Sequence, residues 1–215
     1  MLSRRAFFLL LMPACLQAGA DEAIVSRMEI EEIAGSGSWP PRLREMVRYG
    51  LGLTKMNLGY HFGSADPALG GMDCSGTVHH ILKKAGVKQV PRQSDAFHHW
   101  VEKSGKLTVV KGTPDLKDPA LAKLTPGDLL FWTGTYDTGA RVNPISHVMI
   151  YLGKTKEGKP VMFGASDGRP YQGKRQNGVS VFDFRIPRAT SKARFVGYGP
   201  VPGLDVKGVA PVPPG

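Results

Sequence analysis

The chain has 215 residues, 41% of them hydrophobic and 21% charged, with a formal net charge of +10. That length suits a single domain with a proper core, and no internal repeats or heptads point to a solenoid or coiled coil. The basic residues are scattered rather than gathered in an aromatic-rich stripe, which argues against nucleic acid as a partner.

The chain opens "MLSRRAFFLLLMPACLQAGADEA". Arg4 and Arg5, an apolar run from Ala6 to Leu16 and the small residues Ala18-Gly19-Ala20 have the layout of a secretory signal cleaved before Asp21. The run is too short to span a bilayer, so no stable membrane anchor is expected. "SRRAFF" fits a twin-arginine signal, with Sec export as the alternative. Cys15 follows Met12-Pro13-Ala14, a poor lipobox, so lipoprotein attachment is disfavoured. The expected location is therefore periplasmic or cell-wall associated, in a bacterium. Loss of residues 1–20 leaves 195 residues and, without Arg4 and Arg5, a charge of about +8. Such a surplus favours anionic surroundings such as a cell wall. One cysteine, Cys74, then remains, and a single thiol in an exported chain calls for an explanation.

After an N-terminal segment at 21–39, "PPRLREMVRYGLGL" carries apolar residues at 43, 46, 47 and 51, the spacing of an amphipathic helix. "NLGYHFGSADPALGG" reads as loop. A second helix is expected from near Cys74 to Gly86, with Val78, Ile81 and Leu82 on its apolar face, and a shorter one in "QSDAFHHWVEKSG". Beyond the turn "LTPGD" the chain changes to strands: "DLLFW", "SHVMIYL", "PVMFGA", "GVSVFDF" and "ARFVGYG". The last segment, 201–215, is rich in Pro and Gly and reads as a loosely held tail. Helices first and an antiparallel sheet afterwards make an α+β domain.

Asp73 is a natural N-cap for the helix that begins at Cys74. A helix N-terminus offers free N–H groups and partial positive charge, which lower a thiol's pKa and receive an oxyanion. Gly76 allows another backbone, or a substrate, close approach. The base must come from the six histidines. His79 and His80 lie along the same helix and cannot swing back to the thiol, so they are read as surface or packing residues. His98 and His99 are expected to be solvated, and His61, in the loop before Cys74, lines the site. His147 opens a strand, a rigid mount that can hold an imidazole against a thiol on a distant helix. No histidine pair has zinc-ligand spacing, so no metal is expected.

"DCSG" before an apolar helix, "LTPGDLLFW" and "SHVMIYLG", in that order, together with "GYHFG" and "VPRQS", resemble the NlpC family of cell-wall cysteine peptidases over about residues 40–200. The resemblance implies a compact papain-like fold with the cysteine helix packed on an antiparallel sheet of five or six strands. It implies Cys74 as nucleophile, His147 as general base, and hydrolysis of peptidoglycan stem peptides between D-γ-glutamate and a diamino acid. Tyr60, Asp73 and Ser75 would bind substrate or the oxyanion, although Asp73 reads equally well as a simple helix cap. The family's third catalytic position, which orients the base, aligns with Gly164; Ser166 and Asp167 are the nearest substitutes. The implied attack is by a Cys74 thiolate paired with protonated His147. No cofactor is implied; the partner is peptidoglycan or its fragments, and the protein is expected to be a monomer. An amidase or acyltransferase on the same fold, or a non-catalytic wall-binding module, are the rival readings.

Overall fold

The first helix is fixed by its entry: Pro41 stands in the first turn, where a missing N–H leaves no bond unmade. In the computed structural model of the protein, which describes residues 23–204, 206 and 208–215, that helix is α1, Pro41–Leu53. Leu43, Met46, Val47 and Leu51 are buried along one side, as the spacing predicts. Two very short strands, β1 (Gly59–Tyr60) and β2 (Gly71–Met72), pair in parallel and close the glycine-rich loop between them. They deliver the chain to α2, Cys74–Lys84, which ends on Lys83 and Lys84, favourable charges for a helix C-terminus. The third helix, α3, spans Ser94–Lys103. The proposed signal at 1–20, Cys15 included, lies outside the described residues. Among the described residues no helix is long and apolar enough to cross a membrane.

The second half supplies the sheet. After β3 (Thr108–Val109) come β4 (Leu129–Thr133), β5 (Ile145–Lys154), β6 (Pro160–Ser166), β9 (Gly178–Asp183) and β10 (Arg194–Gly199). A small hairpin, β7 (Pro170–Tyr171) with β8 (Lys174–Arg175), sits between β6 and β9. The order across the sheet is β3-β10-β4-β5-β6-β9, and every neighbouring pair is antiparallel. The α+β architecture expected from the sequence is therefore present, with six strands in its main sheet.

Alternation along the strands divides the interior in two. Val148, Ile150 and Leu152 on β5 join Val161 and Phe163 on β6 under the helices. Met149 and Tyr151 face the other way, with Leu130, Trp132, Met162, Phe182 and Phe195. This second core is closed by Leu121 and Leu124 from the connection before β4. The sheet is thus buried on both faces, which is why β4 and β5 read as nearly continuous apolar runs rather than clean alternations. Each large side chain so buried is worth roughly 1.5–3 kcal/mol.

The described segments that flank the helices and the sheet are tied down. Residues 23–39 run along the sheet: Ile24 bridges Asn177, Ile33 bridges Thr155, and Met28, Ile30 and Trp39 are buried. The Pro/Gly-rich end differs from the loose tail expected. Val212 donates its N–H to Leu124 and accepts from the Tyr151 hydroxyl at 2.8 Å, while Lys154 Nζ reaches the Gly215 carbonyl. Composition signals a segment without regular structure, but it does not register backbone groups that find partners on the body.

Candidate active site

Asp73 organises the start of α2. One carboxylate oxygen accepts the Gly76 N–H at 2.6 Å and the Ser75 hydroxyl at 3.1 Å; the other accepts the Gly63 N–H at 2.8 Å. Arg92 closes the cluster. Its guanidinium donates to both carboxylate oxygens, at 3.1 and 3.0 Å, to the Ser75 hydroxyl and to the Gly63 carbonyl. Asp73 is thus both a cap and a member of a charged cluster, and Ser75 is buried within it. Arg92 lies in "VPRQS", but nothing in that stretch alone reveals that it meets Asp73. The close approach allowed by Gly76 is to backbone: a Cβ there would collide with the Ser64 carbonyl.

Cys74, the first residue of α2, is buried. The backbone N–H of Val148 on β5 and that of Ser75 point toward its sulfur, so α2 and β5 meet at the thiol. Burial nevertheless dominates and pushes the thiol up to about 11, against the downward pull of those N–H groups and of Arg169. His147, next to Val148, is buried too, and burial followed by the nearby Arg169 charge holds its pKa well below the ordinary value. Burial thus acts against the charged form of both groups, the thiolate and the imidazolium. For Cys74 this desolvation runs against the stabilisation of a thiolate expected from the helix terminus.

The ring of His147 packs edge-on against Trp132, 5.7 Å between centroids, and its buried Nε2 has no hydrogen-bond partner among the described residues. The space a third residue would fill is taken. Met149 Sδ lies 3.0 Å from where a Cβ on Gly164 would stand, so any side chain there meets the thioether. Ser166 is buried at the end of β6, on the same strand face as Gly164, and borders the same cavity as His147. Asp167 is exposed and its backbone carbonyl accepts from Arg175 at 2.7 Å. Neither bonds to Nε2. The charge acting on His147 comes from Arg169, whose guanidinium carbon sits 4.5 Å from the centre of the Trp132 ring. Burial lowers Arg169 to about 10, which leaves it charged at neutral pH.

The other histidines divide as follows. His79 Nδ1 pairs with the Pro91 carbonyl at 2.7 Å, and His80 stacks on Tyr49 with its Nε2 2.8 Å from the hydroxyl. His99 is exposed beside Glu102. His98 departs from the solvated reading: its ring meets Phe131 edge-on at 5.2 Å, and its Nδ1 lies 3.2 Å from Asn143 Nδ2. A polar helix pattern does not show that this residue overhangs β4.

Two cavities open at the site. One, of about 300 Å³, is lined by Cys74, Ser75, Asp73, Arg92 and Tyr60; the other, of about 1150 Å³, by His147, Ser166, Arg169, His61 and again Tyr60. Phe62 and Tyr136 border both and touch edge-to-face at 5.9 Å. Burial first, then the neighbouring Cys74 and Asp73, raise the Tyr60 pKa, so its hydroxyl remains a donor. The model of the NlpC/P60 family matches residues 57–169, from the loop before β1 to just beyond β6, more than half of the chain. The chain belongs to the NlpC/P60 family. Membership of this family implies a cell-wall peptidase-like function. Among solved structures it is similar to a Staphylococcus aureus protein described as similar to lipoprotein, NLP/P60 family, at 19% identity and a TM-score of 0.48. That likeness covers 74% of this chain and 41% of the other, so the chain spans well under half of its length. None of the curated proteins matches.

Proposed function

We propose that this protein is an exported cysteine peptidase that hydrolyses peptidoglycan stem peptides at a D-γ-glutamyl–diamino acid amide. The observation that supports it best is the meeting of Cys74, at the N-terminus of α2, with the β5 backbone beside His147, at the edge of two cavities joined through Tyr60. The pair reacts in concert. His147 takes the thiol proton as Sγ bonds to the carbonyl carbon, and the carbonyl oxygen gains the charge. The N–H groups at the start of α2 and the Tyr60 hydroxyl stabilise that oxyanion. His147 then gives its proton to the departing amine, the carbon–nitrogen bond breaks, and a thioester remains. Water, deprotonated by His147, attacks the thioester and releases the acid and the thiol. Arg169 disfavours a lasting imidazolium and so favours rapid return of the proton.

Without a third side chain on Nε2, the imidazole is held by packing against Trp132. An orienting residue affects rate more than it affects the chemistry itself, so the absence of one is compatible with activity. The same absence is what favours the non-catalytic wall-binding reading. Incubation of purified wall fragments with the protein, Cys74→Ala and His147→Ala separates the two. The expected result is release of stem fragments by the native protein alone, with an acyl adduct on Cys74 seen by mass spectrometry. Fragment binding with neither release nor adduct would overturn the peptidase reading.

A further inference from the structure

The two cavities differ in ways that assign them to opposite sides of the scissile bond. Cys74 borders the smaller one and His147 the larger, and neither residue borders both. In the mechanism above, the acyl group is bonded to Cys74 and the leaving amine receives its proton from His147. The acyl portion therefore occupies the smaller cavity and the leaving portion the larger.

The larger cavity is strongly cationic. Arg169, Arg175, Arg185, Arg188 and Lys192 line it, against one carboxylate, Asp167. Arg185 is tied to Asp183 at 2.6 Å and Arg175 to the Asp167 carbonyl. Among the described residues, the charged ends of Arg169, Arg188 and Lys192 have no carboxylate within ion-pair distance. Arg169 is the innermost, laid over Trp132 and partly removed from water, where a charge interacts more strongly than at the surface. Arg188 and Lys192 are exposed at the rim. A volume of about 1150 Å³ exceeds what a single amino acid fills.

We infer that the cavity beside His147 is a subsite for an acidic peptide on the leaving side, with at least two carboxylates: one held by Arg169 and the next by Arg188 and Lys192. This rests on the peptidase reading for its direction but not for its binding chemistry. A guanidinium with no carboxylate already on it matches one in a fork-like pair. The smaller cavity, where Asp73 is already neutralised by Arg92, has no comparable excess of unpaired cations apart from Arg141.

The test uses two dipeptides of nearly equal shape, Lys-Glu with two carboxylates and Lys-Gln-amide with none, and the full chain bearing Cys74→Ala. Calorimetric titration should give at least tenfold tighter binding of Lys-Glu, weakening with added salt as surface charge is screened. Arg188→Gln with Lys192→Gln should remove most of that preference and leave Lys-Gln-amide unchanged. With the native protein, γ-D-glutamyl-Lys-Glu should be cut at least tenfold more efficiently than γ-D-glutamyl-Lys-Gln-amide. Equal binding of the two dipeptides, or a preference untouched by the double substitution, would overturn the subsite. Selective binding without cleavage of either substrate would leave the subsite standing and sink the peptidase reading instead.

Discussion

Gly164→Ala tests whether Met149 has taken the place of a third active-site side chain. The added Cβ would lie 3.0 Å from Met149 Sδ and 3.4 Å from its Cγ, inside the usual 3.5–4.0 Å separation of packed carbons. Met149 has no exposed surface and is enclosed with Trp132, Tyr151 and Met162, so it has little room to retreat. Overpacking of this kind costs about 1–3 kcal/mol, of which the loss of glycine's freedom in the unfolded chain returns about 0.4–1. Met149→Ala alone removes a buried side chain and costs about 2–5 kcal/mol. Combined, the new methyl occupies space the thioether has left, and the double variant should be more stable than the sum of the singles by about 1–2 kcal/mol. Urea unfolding of the four proteins measures this as a cycle. Losses that add to within about 0.5 kcal/mol would show that Met149 does not fill the space beside Gly164, and that packing does not explain the missing third residue.

Three further outcomes are expected. Alkylation of Cys74 by iodoacetamide should be slow at pH 7 and rise about tenfold per pH unit toward the thiol's value of about 11, since the thiolate is the reactive form; a rate already flat below pH 7 would restore the thiolate–imidazolium pair. Asp128 is buried at 3% exposure, and burial lifts its carboxyl from 3.8 to about 7 although the Thr125 N–H bonds to it. Because the folded value is the higher one, its contribution is complete below pH 4 and is lost as pH rises through 7, on the order of 4 kcal/mol in all. Asp128→Asn should therefore gain stability relative to the native protein between pH 4 and 8 in urea unfolding, and parallel pH curves would contradict the burial argument. Asp73→Asn keeps an acceptor for the Gly76 N–H but turns its NH2 against the Gly63 N–H and Arg92, so urea unfolding should show a loss of about 1–3 kcal/mol; a change within about 0.5 kcal/mol would show that the Arg92 cluster does not hold the loop to α2.

The sequence showed the α2 helix, its Asp73 cap and the five main strands because each has a local cause: a capping side chain, an apolar period, a Pro-Gly turn. It showed Cys74 and His147 as candidates by the same means, since a helix start and a strand start are local features. What it could not show depends on distance across the fold. Arg92 is 19 residues from Asp73 yet completes its cluster, and Arg169 acts on His147 from beyond the end of β6. The thiol's raised pKa has the same origin: the helix terminus is visible in "DCSG", whereas the burial that overrides it exists only after β5 is in place. Gly164 looked like a missing catalytic group. Only the cross-strand contact with Met149 gives it a packing reason.

The collision that forbids a side chain at position 76 also sets one wall of the smaller cavity. The Ser64 carbonyl presses on the start of α2 and accepts the Asp73 N–H at 3.0 Å, while Gly63 is bonded to Asp73 and Arg92 from both its backbone groups. The loop that carries Tyr60 and the helix that carries Cys74 are thereby one rigid jaw. A ligand on that side finds its partners already in position and loses little freedom in ordering them. New specificity on that side would require several simultaneous changes. The opposite wall, built from the connections at 134–136 and 185–193 outside that cluster, can be altered one side chain at a time. Divergence among relatives of this chain is accordingly expected to collect around the His147 cavity.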